Sequence, residues 1–80
     1  METLIYQPKG VCSKQFEIQH ENGKVVSIKI VGGCNGNLQG ISKLIQGMDI
    51  EDVINKLSGI KCGIRSTSCP DQIAQALKSI

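Results

Sequence analysis

The residues of this chain best suited to chemistry are its four cysteines, Cys12, Cys34, Cys62 and Cys69. They stand in Gly-Val-Cys-Ser, Gly-Gly-Cys-Asn, Lys-Cys-Gly and Thr-Ser-Cys-Pro-Asp, and the Gly, Ser and Pro neighbours mark turns. A single buried cysteine is usually a small apolar residue without chemistry. Four thiols in turn-like settings point instead to a built site. In a reducing compartment such thiols are free, metal-bound or redox-active rather than paired as structural disulfides. The gaps of 21, 27 and 6 residues between them are not the paired Cys-x-x-Cys knuckles of a zinc ribbon.

The elements that must position these thiols follow from hydrophobic period. Residues 3–7 read as a short strand broken by Pro8, Lys9 and Gly10. Residues 14–20 alternate, with Phe16 and Ile18 on one face. Glu21-Asn22-Gly23 is a hairpin turn. Residues 24–32 form the return strand, with Val26, Ile28 and Ile30 facing one way and Val25, Ser27, Lys29 and Val31 the other. Hairpin geometry then makes Cys12, at the start of one strand, a neighbour of Cys34, just past the end of its partner. The link Gly32-Gly33-Cys34-Asn35-Gly36-Asn37 is glycine-rich and leads into a helix over 37–46, whose apolar stripe is Leu38, Ile41, Leu44 and Ile45.

Gly47 ends that helix, and Asp49 is placed to cap the next, with Met48 and Val53 as a hydrophobic staple. Ile50, Val53, Ile54 and Leu57 are its buried stripe; Glu51 and Asp52 suit the helix dipole and need no catalytic role. Residues 60–67 are a link. Ser68 and Asp71 have the spacing of a capping box for the last helix, which carries Ile73, Ala76, Leu77 and Ile80. The order is an α+β domain over residues 1–80: a small antiparallel sheet of two to three strands, then three short helices packed on one face.

Three chemistries fit this arrangement. Cys12, Cys34, Cys62 and Cys69 can supply a tetrathiolate site for zinc or an iron–sulfur cluster, with Lys61 and Arg65 offsetting excess negative charge. The Gly32, Gly33, Asn35, Gly36, Asn37 loop with Ser66, Thr67 and Ser68 can instead wall a phosphate-bearing cofactor, a flavin or nucleotide. Cys62 and Cys69 can also act as a redox dithiol. His20, the only histidine, reads as a solvated strand-end residue and not as a ligand.

Composition removes other classes. A net charge of +2 with both signs scattered, and only Tyr6 and Phe16 as aromatics, argue against nucleic acid. No apolar run is long enough to span a bilayer. The first residues lack the basic-then-apolar pattern of a signal peptide, so the expectation is a cytoplasmic protein. A domain of 80 residues buries little apolar surface, and a homodimer would bury more.

The sequence Thr67-Ser68-Cys69-Pro70-Asp71 resembles the signature of the TSCPD-domain family. Gly10 to Ser13, Gly32 to Leu38 and Gly59 to Cys62 are similar to the other blocks of its small stand-alone members. A similar domain ends the adenosylcobalamin-dependent ribonucleotide reductases, so the resemblance implies an accessory role in nucleotide reduction, with a reductase as partner. The chain has no room for the reductase barrel and is not expected to be an enzyme by itself. More distantly, the order of hairpin, Gly-Cys loop and late cysteine opening the last helix resembles the U-type iron–sulfur scaffold proteins, implying a partner in the iron–sulfur machinery. Cys12, Cys34 and Cys69 match the three cysteines of that family in order. Lys14 stands where that family has an aspartate, and Ser68 where it often has a histidine. These departures imply one of two things: Cys62 replaces the lost ligand, or the metal site is gone.

Overall fold

The computed structural model describes residues 1–11, 13–32, 35–61, 63 and 67–80. The chain runs β1 (Glu2–Tyr6), β2 (Ser13–Glu21), β3 (Lys24–Gly32), α1 (Asn35–Ile45), α2 (Ile50–Leu57) and α3 (Cys69–Lys78). The three strands form one antiparallel sheet in the order β1-β2-β3, with β2 in the centre. This is the expected α+β architecture.

The β2–β3 hairpin turns on Asn22 and Gly23, whose φ angles are 53° and 76°. Two successive positive values define the primed turn that matches strand twist. Pairing across the sheet puts Tyr6 beside Phe16 and Phe16 beside Ile30, then Leu4 beside Ile18 and Ile18 beside Ile28. These side chains share one face. Phe16 and Ile18 are fully buried there, and the Tyr6 and Phe16 rings stack with centroids 6.3 Å apart. Ile45 of α1, Val53 of α2 and Ile73, Ala76 and Leu77 of α3 complete the same core.

Two bulges alter the expected parity. Gln19 pairs with Ser27 but His20 pairs with Val25, so Val26 is the extra residue. A bulge shifts every side chain beyond it to the other face. Val25 is therefore fully buried in the core, not on the outer face with Ser27 and Lys29. At the other end Ser13 pairs with Gly32 and Gln15 with Val31, leaving Lys14 extra and exposed. Ser13 turns inward as a result and is buried.

Other expectations also change. His20 is buried, not solvated, because β2 is the central strand and its core-facing positions stay covered to the strand end. Its Nε2 lies 3.8 Å from the Glu2 carboxylate on β1. Leu44 is 76% exposed, since it sits about 120° around α1 from Leu38 while Ile41 and Ile45 stay near the core side. Ile80 lies beyond the end of α3 and is exposed.

The turn end of the hairpin is held by the α1–α2 link. Gly47 N–H donates to the Val25 carbonyl (2.7 Å), Val25 N–H to Met48 (2.9 Å) and Ile50 N–H to Gly23 (2.8 Å). Asp49 occupies the N-cap of α2 without a side-chain capping bond, and its backbone forms an isolated antiparallel β-bridge with that of Lys24. The opposite end of the sheet, where β2 begins and β3 stops, meets the start of α3.

Candidate functional site

Helix α3 begins at Cys69 because Ser68 caps it. The Ser68 backbone is extended, and its hydroxyl accepts from the Asp71 N–H at 3.2 Å. Pro70 fits the first turn, where an amide has no intrahelical partner. Only half of the expected capping box forms. Asp71 does not return to the Ser68 amide. Its carboxylate accepts from the Gly59 amide at 2.7 Å, from the Thr67 hydroxyl, and more weakly from Gln75 at 3.5 Å. These donors, the Thr67 hydroxyl first and the Gly59 amide next, hold the Asp71 carboxyl below its ordinary pKa against the opposing effect of burial.

The polar side chains of this helix start are fully engaged. Thr67 donates to Asp71 and accepts from Gln72 Nε2 at 3.0 Å. Ser68 donates to the Ile60 carbonyl at 2.6 Å while accepting from Asp71. Gln72 in turn accepts from the Lys9 amide at 3.1 Å, tying the β1–β2 link to the same turn.

Cys69, at the first position of α3, is a partly exposed free thiol. Its Sγ lies 3.0 Å from Ser13 Oγ, the first residue of β2. The two residues are 56 apart in sequence, and Ser13 is 4% exposed with this contact as its hydroxyl's hydrogen bond. Ser13 also pairs with Gly32, the last residue of β3, whose φ is 79°. The start of β2, the end of β3 and the start of α3 thus come together.

Of the expected thiols, Cys69 is at this junction; Cys12, Cys34 and Cys62 lie outside the described residues. Among the described residues no three His, Cys, Asp or Glu side chains are grouped to hold a metal. Of the residues considered for a flavin or nucleotide, Gly32 ends β3, and the Asn35, Gly36 and Asn37 backbones form the first turn of α1. Thr67 and Ser68 precede α3; Gly33, Ser66 and the side chains of 35–37 lie outside the described part. Sequence reasoning missed two participants. Ser13 was hidden by the bulge at Lys14, although it adjoins Cys12; Asp71 was absorbed by the capping-box reading.

A small α+β domain with a cysteine at the start of its last helix, gripped by a buried strand-end serine, is the class of structure that emerges. The chain belongs to the TSCPD-domain family, whose model matches residues 4–80. No curated protein and no solved structure matches it. No helix is long and apolar enough to cross a membrane among the described residues.

Proposed function

We propose that this protein is a small binding module whose thiolates from Cys12, Cys34, Cys62 and Cys69 hold zinc or an iron–sulfur cluster. The observation that carries the reading is the contact between Ser13 Oγ and Cys69 Sγ at 3.0 Å. Ser13 follows Cys12 directly. Gly32, its partner across the ladder, precedes Cys34 by two residues. Ile60, which precedes Cys62 by two residues, accepts from Ser68 beside Cys69. Each of three thiols is thus one or two residues from a residue tied, directly or through Ser13, to the start of α3. Two residues reach at most about 7 Å, so chain connectivity supports convergence without dictating it.

The donor chemistry fits. Thiolates suit zinc and iron–sulfur clusters, and a buried hydroxyl beside a ligating sulfur is the kind of neighbour that orients and tunes such ligands. The metal would supply a structural or electron-transfer centre; the chain supplies the sulfurs, the Ser13 hydrogen bond and the helix start that aims Cys69. The flavin or nucleotide reading draws less support, because the Thr67 and Ser68 hydroxyls are already committed to Asp71, Gln72 and Ile60. A role beside ribonucleotide reduction or iron–sulfur assembly, in the cytoplasm, is compatible with this module and would be exercised through a partner protein.

The test is elemental analysis and an absorbance spectrum of anaerobically purified protein. Stoichiometric zinc, or iron with sulfide, that is lost in Cys69→Ser supports the reading. A flavin spectrum without metal, or a metal-free protein with a reversible Cys62–Cys69 disulfide, overturns it in favour of the cofactor wall or the redox dithiol.

A further inference from the structure

Strand β3 is an edge of the sheet, and its backbone is only partly used. Val25 gives its N–H to Met48 and accepts from Gly47 at its carbonyl, so its backbone faces away from β2. Its partner on β2 is His20; Ile18, two residues away on that strand, pairs with Ile28, and Phe16 with Ile30. Antiparallel pairs alternate between bonded and unbonded along a strand, so Ile28 and Ile30 face away from β2 as Val25 does. Among the described residues no helix or loop backbone takes the bonds that Ile28 and Ile30 offer. Each has an N–H and a carbonyl open to a further strand.

Between this edge and α1 runs a cleft of about 310 Å³, lined by Ile28, Lys29 and Ile30 on the strand and by Leu38, Ser42 and Lys43 on the helix. Phe16 and Ile18 are fully covered, yet Ile28 and Ile30 beside them are only half-buried, because the cleft opens over them. Its floor is thus apolar. Its rim is cationic: Lys29 and Lys43 are exposed, and among the described residues neither forms an ion pair. Glu17, across the sheet from Lys29, accepts from Gln15 Nε2 at 3.4 Å instead. Lysine on a sheet edge discourages a neutral or basic strand from adding there, and a strand that brings carboxylates removes that obstacle.

We propose that this cleft binds an extended acidic segment of a partner protein, which adds to β3 as a further strand, antiparallel like the rest of the sheet. Side chains alternate along a strand, so the segment needs apolar residues at every second position to lie over Ile28, Ile30 and Leu38, with Asp or Glu between them to meet Lys29. Lys43 adds to the same positive field from the helix side. The interface uses none of the cysteines and is independent of the thiolate reading.

The probe is a fluorescein-labelled peptide, Ser-Val-Glu-Val-Asp-Val-Ser, titrated with the whole chain at about 0.15 M salt, where distant charges are screened. Amide hydrogen exchange is followed by NMR on the same complex. Saturable binding is expected, with slowed exchange at the Ile28 and Ile30 amides. N-methylation of the central valine keeps every charge and removes a donor aimed at β3; it should weaken binding by up to about tenfold. Lys29→Gln and Lys43→Gln each remove one surface ion pair and should weaken it by up to about fivefold. Lys56→Gln, exposed on α2 outside the cleft, should leave it unchanged. All three substitutions are at exposed positions and leave the core intact. No binding, equal binding of a peptide with lysine in place of both acids, or undiminished binding of the methylated peptide overturns the proposal. So does an equal loss in Lys56→Gln, or protection confined to β1. Dimerisation of the chain without peptide, protecting the same two amides, assigns the edge to a second copy and overturns the acidic partner.

Discussion

The two ends of the β2–β3 hairpin are held in opposite ways. At the turn end, Gly23 and Val25 exchange backbone hydrogen bonds with Gly47, Met48 and Ile50, and buried apolar residues lie directly behind. At the open end, Ser13, Thr67, Ser68, Asp71 and Gln72 make the ties with side chains. Backbone bonds between an edge and a loop do not depend on residue type and tolerate substitution. Side-chain bonds are specific to the residues that make them. The difference teaches where residue identity matters in this chain: Thr67-Ser68-Cys69-Pro70-Asp71 lies at the end where each side chain sets the geometry, and the thiol sits among them.

The comparison can be tested by substitution. The largest effect is expected midway, where neither end is favoured. Phe16→Ala removes a fully buried ring that stacks on Tyr6, and should cost about 3–5 kcal/mol in urea unfolding, loosening both ends together. Next is the side-chain end. Asp71→Ala strips a charged acceptor from the Gly59 amide and the Thr67 hydroxyl, worth on the order of 2–4 kcal/mol. Smallest of the three is the turn end. Gly47 has a φ of 86° with open space where a Cβ would go, so Gly47→Ala costs only the left-handed backbone, about 1–2 kcal/mol. Thermal unfolding should rank the three in this order.

These differences also explain what could be read in advance. The hairpin was legible because Asn22-Gly23 is a local signal, and the helices because Leu38, Ile41 and Ile45, or Ile73, Ala76 and Leu77, repeat at helical spacing. Side-chain orientation near the bulges was not legible. Period two assigns Val25 and Ser13 to the outer face, and a single extra residue, Val26 or Lys14, reverses that. The four thiols were legible as residue types, but the meeting of Cys69 with the start of β2 rests on a contact across 56 residues. No local pattern encodes it. Asp71 shows the limit most clearly: its spacing from Ser68 spells a capping box, yet its carboxylate is claimed by Gly59, twelve residues away, and by Thr67.

Acid should weaken the side-chain end through the same carboxylate. Hydrogen bonds from Thr67, Gly59 and Gln75, with the charge of Lys78, hold the folded pKa of Asp71 below the ordinary value of 3.8. A depressed folded pKa means that the unfolded chain binds the proton more readily. The stabilisation is therefore complete above the unfolded value and is lost as pH falls through the folded one. Protonation also places a hydrogen where the Thr67 hydroxyl or the Gly59 amide now donates, so the bonds cannot all persist. The slope from one such group is at most about 1.4 kcal/mol per pH unit. Asp71→Asn keeps an acceptor for Gly59 but cannot titrate. Its stability, measured by urea unfolding between about pH 5 and pH 2.5, should fall less steeply than that of the wild type, with the difference between the two curves belonging to Asp71. The turn end provides the control, because Gly47→Ala should shift the whole curve down without changing its slope. If Asp71→Asn and the wild type lose stability in parallel, Asp71 is not what holds the open end together in its ionised form, and the contrast between the two ends must rest on Ser13 and Ser68 instead.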